Sequence, residues 1–301
     1  MALLPASYRH SEELPNVHQV SRRPGAVRLR FGRAAVVIER GFVRTGAGYL
    51  HYRAAGQGEA VLLLHINQQS SAMYIELLSA LSSSFRAIAV DNPSHGCSDH
   101  VSAQPSVADY AKWLVEVMDG LGIGQASILG EANGAAIGAE LAATYPDRVR
   151  RLVLVNCPFY VDRTNLKERL APMRERTLPA DTTGFPAPLT IGFMLENDPE
   201  HSPMRPTQDW MDRLNVAHME AGRDRWQGFD ALHAYDMAPR LAAIRCPVLM
   251  LVGEHFPYAS VRGEFAKRIP QLETKVIEDA RFCMAWERAE EVGRLAAAFM
   301  R

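Results

Sequence analysis

The chain has 301 residues, 48% hydrophobic and 22% charged, a balance typical of globular domains that excludes collagen-like, low-complexity and globally disordered proteins. Its 33 Lys and Arg residues almost match its 34 Asp and Glu residues, and the net charge of −1 predicts neither a nucleic-acid partner nor a membrane-surface partner. Apolar runs such as 60–64 are far shorter than the roughly 18 residues needed to cross a bilayer.

The first residues and the cysteine content bear on the cellular compartment of the protein. The N-terminus reads MALLPASYRHSEELP, with acidic residues where a secretory signal has its apolar segment, so we expect a cytoplasmic protein. The four cysteines are far apart and have neither C-x-x-C spacing nor a neighbouring His at metal-ligand spacing; they are Cys97, Cys157, Cys246 and Cys283. The sequence therefore predicts no disulfide framework and no metal site.

The first half of the chain alternates strand and helix patterns. Residues 1–40 are interpreted as an N-terminal extension with a short hairpin around Gly32, and a second hairpin follows it. Apolar runs and amphipathic segments then take turns: strand 60–66, helix 72–83, strand 85–91, helix 107–122, strand 126–130, helix 133–146 and strand 150–156. This alternation predicts an α/β fold with a doubly wound, mostly parallel sheet.

The alternation of strand and helix patterns then stops and resumes later in the chain. Between 158 and 239 the pattern predicts two helices, 165–179 and 207–226, separated by Pro-rich loops. Strands and helices return at 247–253, 260–269, 273–278 and 286–300. We therefore predict a core formed by 41–157 and 240–301, with a helical cap at 158–239. The chain has no Gly-rich phosphate loop with a Lys, and we expect no cofactor.

Four segments carry a family resemblance: LLLHINQQSS, VDNPSHGCSD, ILGEANGAAIGAELAATYPDRV and CPVLMLVGEHFP. In this order and spacing they resemble the oxyanion loop, the D-x-P-G-H-G-x-S-D turn, the nucleophile elbow and the acid strand of the α/β-hydrolase fold superfamily. The resemblance covers about 41–301 and is strongest to capped members such as haloalkane dehalogenases and ester hydrolases. It implies a Ser-His-Asp triad at the ends of the strands.

The nucleophile elbow departs from that pattern. The family's G-x-S-x-G turn needs small residues on both sides of the nucleophile, and Gly130 and Gly134 meet this need. Ala132 stands between them, where the family has its nucleophile. Because a methyl group cannot attack a carbonyl, the family's acyl-enzyme chemistry is not expected at this position.

The other two triad positions also differ. The family's G-x-x-D-P pattern places Phe256 at the acid position, and the alternative acid position of dehalogenase-like members falls on Asn156. Counting back from Glu287 in the family's G-H-x-x-x-x-E pattern gives Arg281 and Phe282 in place of Gly-His. The sequence therefore predicts that nucleophile, acid and base are all replaced.

Two amides remain at positions that face the family's cavity. Asn67 resembles the Asn of the dehalogenase H-G-N motif, and Asn133 follows the elbow residue, where those enzymes have a second halide contact. With the backbone N–H groups of Ile66 and Asn133, they are candidates to stabilise an oxyanion or enolate. The alternative is that both amides only cap the adjoining loop and helix.

Further candidates flank these positions. Glu131 and His255 are candidate proton-transfer groups, with a structural carboxylate and a surface His as the alternatives. The remaining candidates for substrate contact, beside Ile66, Ala132, Phe256 and Phe282, are His65, Tyr74, Arg281 and Cys283. Arg281 could pair a substrate carboxylate or a surface acid. Met194, Trp210, Trp226 and Phe229 are candidate pocket walls, or core residues.

Three functions remain open. The first is an enzyme that acts without covalent catalysis (proton transfer, elimination, decarboxylation or cyclisation) on a small apolar carbonyl or phenolic compound. The second is a non-catalytic ligand-binding or interaction protein, and the third is a hydrolase whose nucleophile is displaced to Cys283. We expect a small-molecule partner, and the sequence leaves a homodimer open.

Overall fold

The computed structural model describes residues 27–29, 36–177 and 180–301, and these form a nine-stranded sheet with helices on both faces. The strands are β1 Val27–Leu29, β2 Val36–Thr45, β3 Gly48–Ala55, β4 Ala60–Leu64, β5 Arg86–Val90, β6 Ala126–Glu131, β7 Val149–Val155, β8 Val248–Gly253 and β9 Leu272–Ile277. Their order across the sheet is β1-β2-β3-β5-β4-β6-β7-β8-β9.

The strands from β4 onward are parallel, and β1, β2 and β3 form an antiparallel edge. Every residue of β6 and β8 is buried, because helices cover both faces of the sheet. The predicted α/β fold with a mostly parallel, doubly wound sheet is confirmed.

Eleven α-helices flank the described sheet: α1 Ile75–Leu81, α2 Val107–Gly120, α3 Asn133–Thr144, α4 Leu166–Thr177, α5 Ile191–Asn197, α6 Gln208–Ala221, α7 Gln227–Ala234, α8 Ala238–Leu241, α9 Arg262–Ala266, α10 Met284–Glu287 and α11 Ala289–Met300. The predicted terminal helix is thus divided at Arg288 into α10 and α11. Within the described ranges, none of these helices has both the length and the apolarity of a membrane span.

The antiparallel edge corrects the predicted N-terminal boundary. Strand β2 runs without interruption from Val36 to Thr45, and its pairing with β3 extends from Glu39 to Thr45. Residues 36–40 therefore belong to the sheet, since a strand crosses the boundary predicted at residue 40. Strand β1 pairs with β2 in antiparallel register, and Gly32 lies outside the described residues.

The segment between β7 and β8, which we call the insertion (158–239), carries α4 to α7 and the start of α8. The predicted helix at 207–226 is present as α6, which ends at Ala221 and continues into a 3-10 turn. Helices α5 and α7 were not predicted, because at seven and eight residues they are too short to show a clear helical period. These helices stand over the carboxyl ends of the strands that form the site described next.

Candidate functional site

The site begins at a strained turn between β6 and α3. Ala132 has φ 50° and ψ −110°, outside the regions that L-residues prefer. Glycine is required on both sides: a Cβ on Gly130 would collide with the backbone of Gly134, and a Cβ on Gly134 would collide with the backbone of Leu64. The turn therefore keeps the sharp backbone geometry of a nucleophile elbow while it presents a methyl group.

A cavity of about 100 Å³ opens above this turn, at the carboxyl ends of the parallel strands. Its wall on the sheet side is formed by the loops after β4, β6 and β8 and by the loop before α10. These loops contribute Ile66, Asn67, Gln68, Gln69, Ala132, Asn133, Phe256, Tyr258, Phe282 and Cys283. Open α/β sheets bind ligands at this end of their strands.

The insertion forms the opposite wall. It contributes apolar side chains from α5, α6 and α7, of which Met194, Trp210 and Phe229 were candidate wall residues in the sequence. Polar side chains are interspersed among them, notably Asp198, His201 and His218. The cavity is therefore mainly apolar, with a few polar groups at defined places.

Asn67 and Asn133 both line the cavity and lie side by side. The Nδ2 of Asn67 donates to the carbonyl oxygen of Arg225 at 3.2 Å, which turns its Oδ1 away from that carbonyl. The Oδ1 atoms of Asn67 and Asn133 are buried and have no hydrogen-bond partner among the described residues. Gly228 of α7 packs against both amides, and a Cβ there would collide with Asn67 Oδ1.

The contacts of Asn67 indicate how its amide could meet a ligand. An amide oxygen accepts hydrogen bonds and cannot stabilise an oxyanion, so Asn67 is placed to accept from an O–H or N–H group of a ligand. A donor for negative charge is available instead from the backbone of α3. The N–H of Asn133, its first residue, has no acceptor inside the helix.

Phe256 and Phe282, which the sequence pattern predicts at the family's acid and His positions, lie close together beside the turn. Their rings stack with centroids 6.1 Å apart, and both border the same cavity as Ala132. Phe256 is buried and Phe282 half-buried. The part of the cavity that these two rings border is consequently apolar.

Glu131 lies beneath the turn and does not line the cavity. Its carboxylate accepts from the backbone N–H groups of Met284 at 2.8 Å and Ala285 at 3.1 Å, at the start of α10. Burial raises the pKa of Glu131 to about 7, outweighing the lowering effect of these two bonds. Of the two alternatives for Glu131, these contacts favour the structural carboxylate over a proton-transfer group, because the carboxylate holds α10.

Asn156 ties three strand ends together. Its Oδ1 accepts from the N–H of Gly253 at 3.0 Å, and its Nδ2 donates to the carbonyl of Arg281 at 2.6 Å. The same Nδ2 lies 3.4 Å from Glu131 Oε1. The amide at the alternative acid position is thus engaged with the backbone of the neighbouring loops.

His255 and Arg281 also lie outside the cavity. The side chain of His255 is half exposed and its Nε2 is 3.9 Å from Glu254, so the expected pocket base is a surface histidine. Arg281 donates to the carbonyl oxygens of Ser202 at 3.0 Å and Pro203 at 3.1 Å. The expectation that Arg281 pairs a substrate carboxylate is corrected, because its guanidinium fastens the insertion to the core.

His65 and Tyr74 are fully buried away from the cavity. His65 Nε2 accepts from the N–H of Asn92 at 2.9 Å while its Nδ1 donates to the carbonyl of Ile66 at 2.7 Å. The hydroxyl of Tyr74 donates to the carbonyl of Leu64 at 2.7 Å. Both were expected to contact substrate, but their polar atoms organise the loop that follows β4.

Cys283 does line the cavity, with φ 55° and 2% of its surface exposed. Burial raises the pKa of the Cys283 thiol well above its ordinary value, and the charge of Glu131 raises it further. Since the thiolate is the reactive form, this environment disfavours Cys283 as a displaced nucleophile.

Sequence reasoning missed the polar groups of the insertion. His201 Nδ1 lies 2.7 Å from Asp198 Oδ1, and both residues line the cavity. His218 of α6 has an unpaired Nε2 among the described residues, and burial lowers its pKa to about 3. The D-x-x-H spacing of Asp198 and His201 was the available signal, but it lies in an irregular segment with no motif around it.

A cluster with metal-ligand atoms occurs elsewhere. His51, Asp91 and Cys97 bring one donor atom each within 4.8 Å of one another. The carboxylate of Asp91 is already engaged, because it accepts from His51 Nδ1 at 2.7 Å and from the N–H of Cys97 at 3.0 Å. Although burial acts to raise it, the hydrogen bond and the charge of His51 hold the pKa of Asp91 well below its usual range. The cluster therefore fastens the loop after β5.

Comparison with known proteins identifies a family and several relatives that share this fold. The profile of the alpha/beta hydrolase fold family matches residues 59–289. The chain is 24% identical over 253 residues to the (E)-2-((N-methylformamido)methylene)succinate hydrolase of Acinetobacter baylyi, covering 83% of this chain and 93% of that protein. It is 25% identical over 282 residues to the 2-hydroxy-6-oxo-6-phenylhexa-2,4-dienoate hydrolase of Comamonas testosteroni, covering 84% and 91%.

Solved structures show the same fold. An esterase of Thermogutta terrifontis with malate bound superposes with a TM-score of 0.72 at 24% identity, covering 87% of this chain and 98% of that one. An E-2-(acetamidomethylene)succinate hydrolase superposes with a TM-score of 0.71 at 21% identity, covering 87% and 99%. These relatives are hydrolases of small molecules by their names.

Proposed function

Because the chain belongs to the alpha/beta hydrolase fold family, we propose that it is an enzyme that uses the cavity of this fold without a covalent intermediate. The observation that carries the proposal is Ala132, a methyl group on the strained turn between β6 and α3. Phe256 and Phe282 beside the same cavity are apolar where acyl transfer needs an acid and a base. These side chains support the proposal that the triad of the family is replaced as a whole.

The walls of the cavity support a class of substrate. Its apolar side chains suit a small, largely apolar molecule, and the buried oxygens of Asn67 and Asn133 need a ligand that donates hydrogen bonds. A phenol, an enol or a carbonyl compound with an acidic hydrogen has both properties. That the named relatives are hydrolases of small organic acids supports a small-molecule substrate for this chain.

The reaction we propose develops negative charge on a substrate oxygen, as in proton transfer, elimination, decarboxylation or cyclisation. The N–H groups of Asn133 and Ile66 would stabilise that oxygen, while Asn67 and Asn133 hold the substrate through their amide oxygens. The turn at Ala132 orients the first N–H group of α3 toward the substrate. Cytoplasmic location and use of the insertion as a cap belong to the same proposal.

The absence of acyl transfer is tested with p-nitrophenyl acetate. We expect hydrolysis at the background rate, without a burst and without labelling by a serine-directed phosphonate, and Ala132→Ser alone should not change this. Burst kinetics in the original protein would overturn the proposal and revive a displaced nucleophile.

The chemistry itself is tested by incubating the protein with phenolic and carbonyl compounds and following their loss by mass spectrometry. Asn67→Ala and Asn133→Ala should each lower the turnover of an accepted compound at least about tenfold, the effect of one lost hydrogen bond to substrate. The control Gln125→Ala removes an exposed amide outside the cavity and should leave turnover unchanged. Compounds that bind tightly and are never converted would indicate a ligand-binding protein instead.

A further inference from the structure

Asp198 and His201 bring a carboxylate and an imidazole to the cavity from the insertion. Asp198 follows the last residue of α5, and His201 ends the 3-10 turn Pro199–His201. The His201 Nδ1 is 2.7 Å from Asp198 Oδ1, and the two side chains are only 20% and 14% exposed. An ionised carboxylate only accepts hydrogen bonds, so Nδ1 carries the proton and Nε2 is left as the basic nitrogen.

The position of the imidazole is fixed by aromatic neighbours. Its ring meets Phe282 edge-on with centroids 5.4 Å apart, and the ring of Tyr258 lies 6.2 Å away. Phe282 in turn stacks on Phe256. The insertion therefore places a histidine against the phenylalanine that occupies the position of the family's catalytic His.

We propose that His201 is the general base of this cavity and that Asp198 positions it. This inference rests on the proposed function and names its proton acceptor. In the step, an acidic C–H or O–H of the substrate gives its proton to His201 Nε2, and the electron pair stays on the substrate as an enolate or phenolate. Asp198 keeps Nδ1 protonated and balances the imidazolium that forms.

Other titratable groups of the cavity are poorer candidates. His218 is 1% exposed and burial lowers its pKa to about 3, so its affinity for a proton is weak. Cys283 has a raised pKa, again through burial, and is held as a thiol. Among the described residues, neither side chain has a carboxylate within hydrogen-bond distance, whereas His201 is paired with Asp198.

The test uses 5-nitrobenzisoxazole, an uncharged aromatic compound whose ring opening needs only a base. The proton on C3 moves to the base, the C–H electron pair completes the nitrile, and the N–O bond breaks to leave a coloured phenolate. We expect the protein to accelerate this reaction above free imidazole at equal concentration. His201→Gln should lower kcat/KM at least about tenfold, at the low end of what general bases contribute.

A matched control is available on the surface. His100 Nδ1 lies 2.7 Å from Asp224 Oδ2, the same geometry as the pair in the cavity, but its side chain is 53% exposed and does not line the cavity. His100→Gln should leave the rate unchanged. Asp198→Asn should lower kcat with KM unchanged, and imidazole added to His201→Ala should restore part of the rate, which a structural role would not allow.

The outcomes separate the two proposals. A rate equal to free imidazole, or a His201→Gln rate equal to that of the original protein, overturns the assignment of His201. If Asn67→Ala nonetheless lowers turnover of an accepted compound, the proposed function stands with another base. If His201→Gln alone lowers ring opening while p-nitrophenyl acetate shows burst kinetics, His201 is a base and the non-covalent mechanism is wrong.

Discussion

Polar side chains near the strand ends fall into two groups that are used differently. Beneath the turn at Ala132, Glu131 and Asn156 place their oxygens and nitrogens on backbone groups of neighbouring loops. Across the cavity, His201 and His218 reach the interior from the insertion. The groups beneath the turn use their hydrogen bonds to hold the loops together, whereas His201 and His218 line the cavity.

The difference separates polar groups held in the packing of the sheet and its loops from polar groups carried by the insertion. The backbone of the turn is fixed by close packing against β4, because a Cβ on Gly134 would collide with the backbone of Leu64. Side chains of the insertion are not held by that packing, and several of them line the cavity over the same strand ends. The two sides should therefore respond differently to substitution.

The largest effect is expected on the sheet side, from Gly134→Ala. The added Cβ would meet the backbone of Leu64 and the carbonyl oxygen of His65, neither of which is the end of a flexible side chain. We expect a loss of about 3 kcal/mol or more in the free energy of unfolding, measured by urea denaturation.

Gly192→Ala is the matched change on the insertion side. Gly192 lies in α5, and a Cβ there would have only Thr190 Oγ1 near it, at 4.0 Å. Because Ala favours helices over Gly, this variant should be unchanged or more stable by up to about 1 kcal/mol. Equal losses at both positions would remove the contrast between the two sides.

A smaller effect should follow from the titration of Glu131. Its pKa is raised from 4.5 to about 7 by burial, so the folded protein holds this proton at pH values where the unfolded chain has released it. Stability should fall as pH rises from about 4.5 to 7, by up to about 3 kcal/mol in total, and then stay constant.

Glu131→Gln cannot ionise and should lack this component, so its stability relative to the original protein should rise between pH 5 and pH 8. Urea denaturation at the two pH values measures the difference. Glu273→Gln, which removes an exposed carboxylate on β9, is the control and should show no such change. A pH-independent difference for Glu131→Gln would mean that Glu131 stays ionised in the folded protein.

The smallest effect is expected from Phe282→His, at the border between the two sides. The variant loses the stack on Phe256 and the edge contact with His201, which should cost about 1 kcal/mol because Phe282 is only half-buried. It should not hydrolyse p-nitrophenyl acetate, since Ala132 supplies no nucleophile. Phe282→Leu keeps the position apolar and serves as the control for lost aromatic contact. Hydrolysis by Phe282→His would show that an added imidazole finds a nucleophile in the cavity.

Much of the site could be predicted where the local sequence constrains the backbone. Asn67, Asn133 and Phe282 were placed near the cavity because each stands at a fixed offset from a strand end or a glycine turn. Glu131 and Tyr74 satisfy the same offsets and still lie outside it. An offset gives the position of a Cα atom but leaves open which of two sides the side chain faces.

The sequence by itself determined the fold and the turn at Ala132, because alternating apolar periods, buried strands and obligatory glycines are local properties of the chain. Only the tertiary structure decided which polar groups are paired and which meet the cavity. Asp198 and His201 lie in an irregular turn whose place depends on how the insertion packs against Phe282 and Tyr258. That packing joins segments distant in sequence, and no local pattern encodes it.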